Sequence, residues 1–140
     1  MYHFFGNEHL ELKLNNASLP NIKNIRDLYD AFSICWSIDT CAPRLRHKWN
    51  KNNITVGQCS ITSFIVQDLF GGEVYGVLLE DGNYHCFNVI NNVKFDLTSE
   101  QFDKPLEYEN VYKQSRDEHF QKEEKYQRYL LLKKRLLGNK

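Results

Sequence analysis

The sequence predicts an α+β fold in which a helix opened by a cysteine packs on an antiparallel sheet, with a charged helix toward the C-terminal end. Three observations predict it. Apolar residues at spacings of three and four follow Cys59 and stop at Gly71-Gly72, a left-handed helix terminator. Beyond those glycines the period shortens, and apolar runs separated by Asp81-Gly82 and Asn91-Asn92 read as a three-stranded meander. The segment from Ser115 to Leu137 then opens on acidic residues and closes on Lys133, Lys134 and Arg135, as a helix dipole favours.

The 140 residues suit one domain spanning the whole chain, 1–140. At 41% hydrophobic and 14% aromatic, the chain can fill a core, which argues against disorder. Lys+Arg and Asp+Glu number 18 each, so the formal net charge is zero. That balance removes the broad electrostatic argument for a nucleic-acid or membrane-surface partner, and neither is expected. No apolar run approaches the ~18 residues of a membrane span. The opening "MYHFFGNEHLELKLNN" lacks a basic start, a secretory apolar segment and a cleavage site. It reads as mature sequence and points to a cytoplasmic protein. Cys35, Cys41, Cys59 and Cys86 form no CxxC pair, so reduced thiols are expected in preference to a Cys35–Cys41 disulfide.

The elements follow in order. Leu10, Leu12 and Leu14 alternate with polar residues and predict a short half-buried strand, broken by "NNASLPN". Ile25, Leu28, Tyr29, Phe32, Cys35 and Trp36 form a helical stripe, with Asn24 as N-cap and a stop near "SIDTCAP". "RLRHKWNKNNITVG" reads as a loop, with room for a helical turn at "PRLRHKW". A helix then runs from Cys59 to Phe70, followed by strands "EVYGVLL", "YHCFNVI" and "VKFDLT" and a loop at "SEQFDKP". Ser115 and Glu118 make a capping-box pattern for the last helix, 115–137. Its apolar positions allow either a long surface helix or a docking face for a protein partner.

Cys59, His85 and Asp96 arrive in an order that suits covalent catalysis. A cysteine at a helix start meets unpaired N–H groups and the positive end of the dipole, which favour thiolate. A thiolate nucleophile needs a base, and the base needs an orienting group. With Asn91-Asn92 at the turn, Ile90 pairs with Val93 and His85 falls level with Thr98. Asp96 then lies on the diagonal, on the same face as His85. A register slip of one residue would turn it away. The bland readings are a small packed cysteine and a structural histidine.

The chain also resembles the YunG family of small bacterial proteins. The resemblance rests on Trp36 with Asp39-Thr40, Trp49, "GQC" with "VQDLFGGE", His85 with Asn88, "DLT" with "EQF", and Arg128-Tyr129 with Leu131. It covers most of the chain from about Ser33 onward. Cys86 departs from it, standing where the first ring of an aromatic pair is expected. "HCF" followed by "DLT" is similar, more remotely, to transglutaminase-like and papain-like cysteine enzymes. That resemblance implies Cys59 as nucleophile, His85 as base and Asp96 as its orienter. In papain-like enzymes an upstream glutamine often serves as oxyanion donor. Gln58 is the candidate here, although it directly precedes the cysteine, and the Cys59 backbone N–H is the alternative.

The resulting expectation is acyl transfer or amide/thioester hydrolysis on an unknown peptide or small molecule, without cofactor or metal. Trp36 and Trp49 are further candidates to line the site. The competing reading is a non-catalytic peptide- or protein-binding module, in which Trp36, Trp49, Tyr84 and Phe87 would matter more than Cys59. A metal site from Cys59, His85, Cys86 and Cys41 or His47 is disfavoured, because His85 and Cys86 alternate across a strand. Asn88 is read as structural for the same reason. Phosphate binding at "FGGE" is weaker, since a helix C-terminus presents carbonyls.

Overall fold

Helix α1 (Ile25–Ser33) is capped by the Asn24 side chain, which accepts from the Asp27 N–H. It buries Ile25, Leu28 and Phe32 and ends ahead of the predicted stop. The stripe nevertheless continues: Trp36 stacks on Phe32 at 5.7 Å between ring centroids. A 3-10 turn spans Pro43–Lys48. Helix α2 runs from Cys59 to Phe70, as the periodicity predicts. Strands β1 (Glu73–Leu78), β2 (Tyr84–Ile90), β3 (Val93–Phe95) and β4 (Val111–Lys113) follow, then α3 (Arg116–Phe120) and α4 (Glu123–Leu136). The structure, a computed structural model, describes residues 1–138. Among them no helix is long and apolar enough to cross a membrane.

The strands form one antiparallel sheet in the order β3-β2-β1-β4. The register at the second hairpin is the predicted one, with Ile90 opposite Val93. Asn91 and Asn92 both take positive φ, the conformation a two-residue hairpin turn requires. The fourth strand was not foreseen: with three residues it is too short to show a period of two. Helix α2 lies on one face of the sheet, where Phe64, Ile65, Cys86 and Phe95 join the main core. Phe87, Tyr108 and Val77 form a smaller cluster on the other.

Two expectations are corrected. The Leu10–Leu14 stretch is no strand. It folds on local bonds such as His9 N–H to the Gly6 carbonyl (3.0 Å) and Leu12 N–H to the His9 carbonyl (3.3 Å). The place beside Asp96 where a strand could add is taken by Phe5, whose carbonyl accepts the Asp96 N–H at 2.9 Å.

The C-terminal helix is two helices. On one straight helix Phe120 and Tyr129, nine positions apart, would lie about 180° apart. Lys122 breaks the helix with extended backbone, and the two rings meet at 4.6 Å beside α2. The apolar stripe of α4 (Tyr129, Leu132, Leu136) is thereby buried within the protein. The Ser115 cap is present, accepting from the Glu118 N–H.

Asp68 fastens this pair of helices to α2. Its carboxylate accepts from Arg116 (2.6 Å), Lys133 (3.0 Å) and the Tyr129 hydroxyl. Burial alone would raise its pKa, but these three donors outweigh it and hold the carboxyl below 3.8. The stabilisation is therefore whole above about pH 4 and drains as pH falls through the lowered value. Asp68→Ala is expected to remove roughly 1–3 kcal/mol of unfolding free energy, read from urea midpoints.

Candidate functional site

The approach to Cys59 is set by Gly57. Its φ is +71°, and a Cβ there would lie 2.5 Å from Cys41 Sγ and 2.7 Å from the Ala42 nitrogen. Only glycine fits. The next residue, Gln58, ends the turn and makes no side-chain cap bond, so the first-turn N–H groups at Cys59 and Ser60 remain uncapped. Both residues line a cleft of about 860 Å³ that also contains His85, Phe102, His119 and Lys125.

His85 and Asp96 meet in the interior, 2% and 1% exposed. His85 Nε2 lies 2.7 Å from Asp96 Oδ2. The same oxygen accepts from the Tyr108 hydroxyl at 2.7 Å. Asp96 Oδ1 accepts from the Thr98 N–H (3.1 Å) and hydroxyl (3.2 Å). All the lone-pair directions of a buried carboxylate are thus occupied, as its burial demands. Phe102 sets its ring edge-on to the imidazole at 4.7 Å and limits its rotation. Asp96 itself sits one residue past β3, at the Phe5 bridge.

With Nε2 committed to Asp96, Nδ1 is the ring nitrogen left for Cys59, which lies close enough that each group shifts the other's pKa. Burial alone would pull the imidazole pKa down, but Asp96 and Cys59 together push it up to about 10. The Cys59 thiol shifts the opposite way, well below 9.0. The neighbouring Cys86 thiol lowers it most; burial opposes, and His85 and the Cys86 N–H lower it further. The N–H is available because β3 pairs with β2 only over Asn88–Ile90, leaving that flank of Cys86 without a strand neighbour. As the proton donor of the pair, Cys86 is raised well above 9.0. The arrangement holds a thiolate beside an imidazolium.

Strand alternation was therefore a poor guide to reach. His85 and Cys86 do point to opposite faces, yet both lie near enough to Cys59 to shift its pKa. The described residues nevertheless include no group of three or more His, Cys, Asp or Glu side chains arranged to hold a metal ion.

The structure does not bring Gln58, Trp36 and Trp49 into the cleft. Gln58 is fully buried, with Oε1 accepting from the Thr40 hydroxyl (2.7 Å) and Nε2 donating to the Ser37 carbonyl (3.0 Å). Its amide is engaged in the core at both ends and does not line the cleft, so it is not placed to meet an oxyanion there. Trp36 donates to Thr62 Oγ1 at 2.9 Å inside the core, and Trp49 to the Ile54 carbonyl at 2.9 Å in its own loop. Asn88 is structural, donating to the Ser63 carbonyl of α2 at 2.9 Å.

Four groups were missed. Tyr108 and Phe102 flank the His85–Asp96 pair from irregular chain, where no periodicity marks them. His119 comes from α3 and Lys125 from α4, on the two sides of the break. His119 Nε2 lies 2.8 Å from Gln114 Oε1, and its Nδ1 lies 2.8 Å from Lys125 Nζ.

Comparison with known proteins agrees with the YunG resemblance. The family model described as "YunG protein" matches residues 24–140. The chain is 40% identical over 82 residues to "Uncharacterized protein YunG" of Bacillus subtilis (strain 168), an alignment covering 57% of this chain and 70% of that one. No solved structure matches. The protein belongs to the YunG family.

Proposed function

We propose that the chain carries out cysteine-dependent acyl transfer or amide/thioester hydrolysis, on a papain-like or transglutaminase-like arrangement of Cys59, His85 and Asp96. One observation carries the reading: a buried histidine bonded to a buried aspartate on one nitrogen lies against a helix-start cysteine on its other side. The Cys59 thiolate attacks the acyl carbon, forming the S–C bond while the carbonyl electron pair moves to oxygen. The uncapped N–H groups of the first turn of α2 face the developing oxyanion, in place of Gln58. As the C–N or C–S bond breaks, the His85 imidazolium gives its proton to the leaving group. Water or an amine then attacks the thioester, with His85 taking its proton. Asp96 holds the ring in position throughout.

Incubation with p-nitrophenyl acetate tests this. The expected result is a burst of about one equivalent of p-nitrophenolate, with an acetyl group on the Cys59 peptide by mass spectrometry. Cys59→Ala should show neither. An absent acyl-enzyme in the natural chain would refute the proposal and favour the non-catalytic binding module.

A further inference from the structure

Across the cleft from His85, the Lys125 side chain carries a charge that no carboxylate neutralises. His119 keeps its Nε2–H on Gln114 Oε1, so its Nδ1 is the acceptor for a Lys125 N–H at 2.8 Å. Burial first, and then Lys125 itself, lower the His119 pKa to about 4, so His119 is neutral near pH 7. Lys125 is only part-exposed, and among the described residues it forms no ion pair with an Asp or Glu. The acidic groups of the cleft are placed elsewhere. Glu124 is bonded to Arg128, Asp81 faces Arg44, and Glu118 is exposed at the rim. The group in the cleft whose negative charge acts most on Lys125 is Cys59, which lines the same cleft.

That counter-charge is consumed by the proposed reaction. Once the sulfur is acylated, Lys125 is left as a half-buried cation facing the acyl group, a costly state unless the substrate brings an anion. We propose that Lys125 is the anion anchor of the cleft, and that the acyl substrate bears a carboxylate close to its reacting carbonyl. The inference rests on the catalytic reading of Cys59. His119 is a positioning residue here: it ties the ammonium to β4's flank through Gln114, and so aims it.

Iodoacetate and iodoacetamide make a matched pair of probes. In each, the Cys59 sulfur displaces iodide from carbon. Only iodoacetate presents a carboxylate one carbon from the reacting centre. The ratio of their rate constants at Cys59 cancels the thiolate fraction, which both share. Lys125→Met is expected to lower the iodoacetate-to-iodoacetamide ratio about tenfold, and Lys125→Arg to keep it near that of the natural chain. Circular dichroism and the iodoacetamide rate show that the variants are folded. A ratio unchanged in Lys125→Met, with brisk labelling, would overturn the anchor and leave the catalytic reading standing. Slow labelling of the natural chain by both reagents would overturn the catalytic reading, and the anchor with it.

Discussion

Replacing His85 by alanine is expected to slow iodoacetamide labelling of Cys59 about 10–100-fold near pH 6. At that pH an ordinary thiol is almost wholly protonated, whereas the lowered pKa of Cys59 favours its thiolate. The gain in thiolate fraction is two to three orders of magnitude, and the weaker nucleophilicity of a low-pKa thiolate cuts about one order from it. The natural chain should give a profile that is flat from the lowered Cys59 pKa up to about 10, where the imidazolium titrates. In His85→Ala the rate should climb with pH along a curve shifted toward that of a free cysteine. The Cys86 thiol and N–H remain in that variant, so the residual depression measures their share. Matching profiles in both proteins would remove the imidazolium from the account of Cys59.

The same pair shapes stability against pH, with opposite signs for its two members. His85 is raised from 6.5 to about 10, so its contribution is whole below about pH 6.5 and drains as pH climbs through about 10. Cys59 is lowered from 9.0, so its contribution is whole above that value and drains as pH falls through the lowered one. The ion pair therefore ends on the alkaline side where His85 titrates and on the acid side where Cys59 does.

What was legible in the sequence was what periodicity and turn chemistry encode. Helix α2 has seven buried residues in a row, Ser60 to Val66, so its boundaries came from the glycines beyond Phe70 and the Gly-Gln turn before Cys59 rather than from a clean amphipathic stripe. The Asn91-Asn92 turn set the register that carries Asp96 to His85. What stayed hidden depends on tertiary partners. Leu10 to Leu14 carries a strand pattern without a strand to pair with, since Phe5 occupies the place beside Asp96. Gln58 suggests an oxyanion donor by type, but Thr40 and Ser37, eighteen and twenty-one residues away, take its amide. Lys125 reaches the cleft only because the helix breaks at Lys122, and no local signal marks that break: Gln121-Lys122-Glu123-Glu124 is good helix-forming sequence.

Asp96 is the residue whose loss should be felt most in the fold. Asp96→Ala would leave the His85 nitrogen, the Tyr108 hydroxyl and both Thr98 donors without an acceptor in a site closed to water. The expected loss is roughly 3–5 kcal/mol of unfolding free energy, the scale for breaking a buried charged pair. Asp96→Asn keeps the shape but puts an NH2 where donors converge, so it too should lower the urea midpoint. Without the carboxylate, burial would dominate at His85 and pull its pKa down, and the Cys59 thiol would rise in turn. Tyr108→Phe separates the two consequences. It removes one donor from Asp96 and should cost about 1 kcal/mol, while the His85–Asp96 bond survives and the labelling profile of Cys59 keeps its acidic plateau. Reactivity at pH 6 that falls in Asp96→Asn but persists in Tyr108→Phe would assign the orienting role to the carboxylate. An Asp96→Asn protein that kept both the plateau and the urea midpoint would show that His85 holds its proton and its place without Asp96.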